Sequence, residues 1–367
     1  MRLAQSAVWD HEASVATYVD DPLMVIAGPD QRSRCKIFLV YVALWLALGL
    51  QISWKKASRG TTLQWIGFQL QLHGLGNGDL TVTLTESKRQ KLLDAFNQLE
   101  QCKGMIHSKL LQYVVGVLGW VSSVIPIARP WLAMLWAALT QKSEPTRLCT
   151  RQRKGLIFVK QVEHALRWLS TLVREIDGQG PGLQRCFKWR PYAATILIQT
   201  DACPFGMGGF LMIGNEFKAY WHDQVTEADC QLFGAQPGDP SFQSEWELLA
   251  VWISLECFAS FLRQNELGTR VLLRTDNMAT VRAAMEQKAK SPLMAQLAAE
   301  ISLQCAVLQL LPICAEHVPG VLNDVADDLS RMCSDKNVSL PWQLRSSQKL
   351  LPPARSKDAF RAWPSEK

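Results

Sequence analysis

No C-x-x-C pair occurs anywhere in the chain; its ten cysteines are scattered. That scatter offers neither a zinc ribbon nor a disulfide framework, and it suits reduced thiols. The N-terminus shows no signal-peptide pattern, so the expectation is an intracellular protein, cytoplasmic or nuclear and not secreted. The longest apolar run, "IFLVYVALWLALGL" (37–50), falls short of the roughly 20 residues a bilayer requires. Gly49 and the polar "QISWKK" close it. The run reads as a buried helix, and no membrane partner is expected. No internal repeat is evident.

What is present is an ordinary globular balance, 48% apolar and 20% charged over 367 residues, long enough for two or three domains. Charge is distributed unevenly. Residues 1–141 hold 13 basic and 9 acidic side chains, and 142–190 hold 11 and 4. The balance then inverts: 191–335 hold 8 basic and 18 acidic, before a tail, 336–367, with 7 and 2. A basic belt beside an acidic block suits a protein that grips phosphate in one place and gathers carboxylates in another.

The first half opens on "ATYVDDPLMV" (16–25), two adjacent aspartates on a hairpin pattern. "LQWIGFQLQL" (63–72) alternates like a strand, and "LTVTLT" (80–85) follows a glycine-rich turn. Helical spacing recurs over 85–101, 108–126, 129–142 and 155–176, and "DGQGPG" (177–182) marks a boundary. The second half alternates β-rich runs (194–202, 208–214, 217–221, 270–276, 308–318) with helices over 242–264, 278–289, 291–304 and 323–332. Three strands, a helix, a strand, helices, a strand and a closing helix describe a mixed sheet with helices on its faces. The tail, basic and proline-containing, reads as disordered.

Four acids fall at matching places in that layout. Asp201 and Asp276 end strands, Glu247 lies on the long helix, and Asp327 lies near the start of the last helix. No lysine nearby in sequence neutralises them. Such a cluster calls for bound cations, and hard oxygen ligands favour Mg²⁺. Two ions would activate a water and stabilise a leaving oxygen in line. Glu245 competes with Glu247 for its role, and Asp328 with Asp327.

"TDACPFGMGG", "ELLAV", "RTDN" and "HVPGVLNDVADDLSR" resemble the four carboxylate motifs of type 1 ribonuclease H, in the form attached to retroelement reverse transcriptases. The resemblance covers about 190–335. It implies that Asp201, Glu247, Asp276 and Asp327 ligate two Mg²⁺ ions, with Mn²⁺ as the alternative. It further implies that His317 helps release product, and that the substrate is an RNA·DNA hybrid cut in its RNA strand. The "ELLA" match favours Glu247 over Glu245, and the spacing from Asn323 favours Asp327 over Asp328. Cys203 departs from the serine commoner at its position, and the interval from Glu247 to Asp276 is long.

"YVDD" resembles the catalytic hairpin of reverse transcriptases. "GLQISWKK" resembles the segment after that hairpin, with Lys56 at the position of a lysine thought to act on pyrophosphate. "LQWIGF" is similar to a primer-grip strand pair, with Trp65, Ile66 and Gly67 at its centre. Nucleic-acid contacts are expected from Trp65, Gly67, Asn277 and Asn323. The implied architecture is α/β and α+β. It comprises a truncated palm with its hairpin (1–84), a helical thumb (85–142), a basic connection (143–190), a ribonuclease H-like five-stranded mixed sheet with flanking helices (191–335) and the tail (336–367). Asp20 and Asp21 lack the upstream third carboxylate a polymerase needs, so no polymerase activity is expected of this chain alone. The alternative to a nuclease is an inactive nucleic-acid-binding remnant of a retroelement polyprotein.

Overall fold

The computed structural model describes residues 13–18, 21–26, 30–73, 79–140, 155–174, 183–187, 196–264, 271–289, 291–308, 310, 313–335, 337–356 and 359–361. They fall into two compact units, one of residues 1–88 with 187–190 and one of 89–186 with 191–367. Among them no helix is long and apolar enough to cross a membrane.

In the first unit, β1 (Ala13–Tyr18) and β2 (Asp21–Ile26) pair antiparallel, with Tyr18 opposite Asp21. Helix α1 (Gln31–Ala47) starts ahead of the apolar run because Asp30 caps it, accepting from Ser33 N at 2.8 Å. The run was expected to be buried, and it is not. Only Tyr41, Val42 and Trp45 are enclosed, while Phe38, Leu39, Val40 and Leu46 are exposed. A helix apolar on every side carries no stripe that says which face packs.

The alternation over 63–72 is likewise interrupted. β3 (Thr62–Trp65) turns into β4 (Phe68–His73) through Ile66 and Gly67, both at positive φ (45° and 91°). That two-residue turn sets Trp65 opposite Phe68, and β5 (Asp79–Leu84) continues the sheet antiparallel to β4. A side chain at Gly67 would run into Lys88, and a β-branched residue at Ile66 is an unfavourable occupant of its backbone region.

The second unit begins with helices α2 (Glu86–Gln101), α3 (Ser108–Val124), α4 (Arg129–Thr140) and α5 (Val159–Arg174). Short strands β6 (Met105–His107) and β7 (Leu156–Phe158) pair antiparallel before α3 and α5. Trp131 stacks on Trp168 at 5.5 Å between ring centroids, joining α4 to α5. A short strand, β8 (Gln184–Phe187), precedes the main sheet.

That sheet runs in the order β13-β12-β9-β10-β11-β14. β9 (Ile196–Cys203), β10 (Gly206–Ile213) and β11 (Glu216–Gln224) form an antiparallel meander; β12 (Val271–Thr275) lies parallel to β9, and β13 (Cys314–His317) parallel to β12. It has six strands where five were expected. The sixth, β14 (Gln348–Lys349), comes from the tail and lies parallel to β11.

The tail is therefore not the disordered segment its composition suggested, over 337–356 and 359–361. Arg355 is buried between Asp229 Oδ1 (2.8 Å) and Asp223 Oδ2 (2.7 Å), and Phe360 packs on Trp252 at 4.5 Å. A buried guanidinium that finds two carboxylates anchors a strand whatever the residues around it.

Helix α6 (Glu227–Phe233) opens on a capping box between Thr226 and Asp229. α7 (Gln243–Cys257) is followed by α8 (Ala259–Gln264), then α9 (Met278–Glu286), α10 (Pro292–Val307) and α11 (Asp324–Arg331). One face of the sheet supplies Ile198, Met207, Leu211 and Trp221 to a core shared with α7 and α10. The other supplies Phe210 and Tyr220, which pack on Val325, Ala326 and Leu329 of α11. The helices before the expected boundary at 177–182 belong to this same unit. Ser302 of α10 reaches back to donate to the Ile127 carbonyl at 3.4 Å.

Candidate functional site

Side chains directly opposite in neighbouring strands share a face, as do alternate residues along one strand. Asp201 lies opposite Gly208, and Gly208 opposite His222. Asp201 therefore points to the α11 side of the sheet, two residues after Gln199 on the same face. It is buried, and both carboxylate oxygens are held: Asn323 Nδ2 donates to Oδ1 at 2.9 Å and Ser330 Oγ to Oδ2 at 2.7 Å. Gln199 Nε2 donates to Asn323 Oδ1 at 2.8 Å.

Glu247, on the first half of α7, is also buried. Gln243, one turn earlier, donates to its Oε1 at 3.2 Å, and Thr275 Oγ1 at the end of β12 donates to Oε2 at 3.2 Å. Asp276 follows Thr275 directly and is half-buried. One oxygen from each of Asp201, Glu247 and Asp276 lies within 4.8 Å of the others.

Three carboxylates at that separation resist simultaneous ionisation. At an effective dielectric of about 20, each pair of charges costs about 3–4 kcal/mol. Burial, with smaller contributions from the charges of Asp276 and Asp327, pushes Asp201 up to about 7, against the hydrogen bond from Ser330. Burial raises Glu247 well above the carboxylate range, aided by Asp201 and Asp276. Among the described residues no lysine or arginine forms an ion pair with any of the three. A buried, unneutralised oxygen set fits a hard divalent cation.

The structure thus brings three of the four predicted acids together. Asp327 stands apart from the triad: its Oδ1 pairs with Arg331 Nη2 at 2.7 Å, one turn along α11. It is near enough for its charge to act on Asp201, and burial raises its own proton affinity. Glu245, the alternative to Glu247, accepts instead from Ser291 Oγ at 2.9 Å. His317 is exposed at the end of β13, opposite Thr275.

Two predicted nucleic-acid contacts are otherwise engaged. Asn323 is fully buried against Asp201, which removes it from any surface role. Asn277 caps α9, its Oδ1 accepting from Ala279 N (2.9 Å) and Thr280 N (3.1 Å). In the first unit Asp21 and Lys56 are exposed, Trp65 Nε1 donates to the Asp21 carbonyl at 3.0 Å, and Gly67 is half-buried; Asp20 lies outside the described residues.

Sequence reasoning missed Gln199, Gln243, Thr275 and Ser330. A signal existed for two of them: Gln199 is i−2 from Asp201 on a strand, and Gln243 is i−4 from Glu247 on a helix, so each shares a face with its acid.

No family model matches the chain, and no curated protein matches it. Among solved structures, LC11-RNase H1 in complex with an RNA/DNA hybrid is 21% identical, over 39% of this chain and 99% of that one, at a TM-score of 0.31. The N-terminal RNase H domain of a Mycobacterium tuberculosis protein is 17% identical, over 38% and 99%, at 0.30. A foamy viral protease-reverse transcriptase in complex with dsDNA is 14% identical, over 87% of this chain and 58% of that one, at 0.34. Likenesses this slight carry no functional weight. The motifs and the geometry of the acids do.

Proposed function

We propose that the second unit is a ribonuclease H-type nuclease that cuts the RNA strand of RNA·DNA hybrids. The observation that carries this reading is the triad of buried Asp201 and Glu247 with half-buried Asp276, in which Asp201 and Glu247 each have both oxygens held by a hydrogen-bond donor. The triad stands on the strings that resemble ribonuclease H motifs. Cleavage is endonucleolytic and leaves 3′-OH and 5′-phosphate ends.

Asp201, Glu247, Asp276 and Asp327 would hold Mg²⁺, Mn²⁺ being the substitute. When bound, the metal supplies an activated water and charge stabilisation for the leaving oxygen. The chain's own residues do the positioning. Gln243 and Thr275 fix the Glu247 carboxylate in one rotamer, and Asn323 and Ser330 do the same for Asp201. Asp327 would give up its pairing with Arg331 to join them, at little cost because that ion pair is partly exposed. His317, exposed beside the strand that ends at Thr275, would move a proton as product leaves. Recognition rests on backbone shape and 2′-OH groups, not on base sequence.

Residues 1–84 we read as the palm end of a reverse transcriptase of retroelement type, 85–142 as its thumb and 143–190 as its connection, on the YVDD and primer-grip resemblances. The test is cleavage of a labelled hybrid by wild type and Asp201→Asn, with and without Mg²⁺. Metal-dependent cutting by the wild type alone is expected. Cutting that persists in the variant overturns the site, and tight binding without any cutting favours the inactive-remnant alternative.

A further inference from the structure

We infer that α11 is a clasp that fixes Asp201 for cation binding, with Ser330 and Asn323 as positioning residues and Gly206 and Gly208 as the seat that lets the clasp close. The inference rests on the metal-dependent reading above.

The seat comes first. Gly208 lies between Asp201 and His222 on the α11 face of the sheet. A side chain there would collide with Leu329, and one at Gly206 would collide with the Ser330 carbonyl and come within 3.2 Å of the Asp223 carbonyl. The missing side chains let the last turn of α11 rest on the β9–β10 backbone. Leu329 seals the contact, being fully buried. Cys203 adds a weak tether, its Sγ lying 3.5 Å from the Ser330 carbonyl.

Seated this low, the helix meets Asp201 at both of its ends. Asn323, just ahead of its first turn, donates to Oδ1, and Ser330 in its last turn donates to Oδ2. Asn323 makes no cap hydrogen bond to its own helix, the usual use of an asparagine at that position, because the oxygen that would cap accepts from Gln199 while Nδ2 donates to Asp201. Which way that amide faces is determined. Gln199 Nε2 donates to Asn323 Oδ1 at 2.8 Å, so the NH₂ must face the carboxylate.

Ser330 Oγ also lies 2.9 Å from the Asp327 carbonyl, but one hydroxyl proton cannot serve both acceptors. The Asp201 oxygen, the nearer of the two at 2.7 Å, takes it. Asp327 sits on the same helix, between the two positioning residues. The clasp therefore sets the spacing between two of the proposed ligands through one rigid element.

The test uses the full chain, stripped of metal, and reads Mn²⁺ binding by electron paramagnetic resonance alongside hybrid cleavage. Ser330→Ala is expected to bind Mn²⁺ about 10–100-fold more weakly, with kcat reduced and KM for the hybrid unchanged. Ser330→Thr, which keeps the hydroxyl, is expected to restore most of both. Gly208→Ala, which substitutes none of the proposed ligands, is expected to weaken Mn²⁺ binding similarly. Circular dichroism reports whether each variant folds. Should Ser330→Ala fail to fold, Ser330→Cys against Ser330→Thr reads the same difference. Ser330 and Gly208 variants that bind Mn²⁺ as tightly as the wild type overturn the clasp, as does a Thr variant no better than Ala. A wild-type chain that binds Mn²⁺ yet leaves the hybrid whole overturns the nuclease reading instead, and the Mn²⁺ titrations then decide the clasp alone.

Discussion

Asp201 carries the plainest consequence at the scale of single residues. Its carboxyl is raised from 3.8 to about 7, and Glu247 shifts in the same direction. A raised carboxylate binds a proton in the folded state that the unfolded chain has already released. The resulting stability is fully present below the unfolded value and is lost as pH rises through the folded one. In chelator, the melting temperature of the wild type is therefore expected to fall as pH is taken from about 5 to about 8, and Mg²⁺ should restore it at the upper end. Asp201→Asn should flatten much of that slope. A melting temperature independent of pH in chelator would contradict the burial of the pair. The three acids of the triad were legible because each sits in a short string with a recognisable neighbour. The amides and hydroxyls that hold them were not, because a sequence shows an asparagine at 323 without showing that the sheet closes over it. Burial, not residue type, turns a surface contact into a positioning group.

Among the elements, the tail departs most from expectation, and one side chain accounts for it. Arg355 spans Asp223 and Asp229 and also donates to the Gln224 carbonyl at 2.9 Å. Asp229 is fully buried and already serves the capping box of α6. Replacing Arg355 by Met strands that carboxylate, and breaking one side of a buried pair costs about 3–5 kcal/mol. Urea unfolding is expected to show a loss of that order, with Arg355→Lys recovering only part because the planar fork is gone. An unchanged midpoint would mean the tail is held by β14 and Phe360 alone. Composition could not foresee this pairing, since its partners lie 126 and 132 residues away in sequence. The alternation that read 63–72 as one strand failed for a different reason. The pattern of side chains continues through Ile66 and Gly67, while the backbone turns there at positive φ.

For the whole molecule, on the nuclease reading proposed above, charge decides how a polyanion is approached. Extending the acidic block through the packed tail, 191–361, changes its balance to 14 basic and 19 acidic residues, so it remains net negative. Duplex affinity is then expected to come mainly from the helical segment 85–142 and the basic belt at 142–190. Changing Arg147, Arg151, Arg153 and Lys154 to Gln should lower affinity and reduce the salt slope by about 0.7–0.9 for each phosphate no longer neutralised. Equal slopes would assign binding to the acidic block itself. The broad layout, a hairpin, helices, then a mixed sheet, was readable from periodicity, but the grouping of 89–186 with the sheet depends on long-range packing such as Ser302 against Ile127.

The two-residue strand Gln348–Lys349 has a last implication. It covers Ala219 and Tyr220, whose backbone would otherwise form an open edge, and the next residue continues the cover through Leu350 N to the Tyr220 carbonyl at 2.9 Å. Proteolysis ahead of it would bare a template for strand addition between molecules. A nicked preparation should then reveal itself by turbidity.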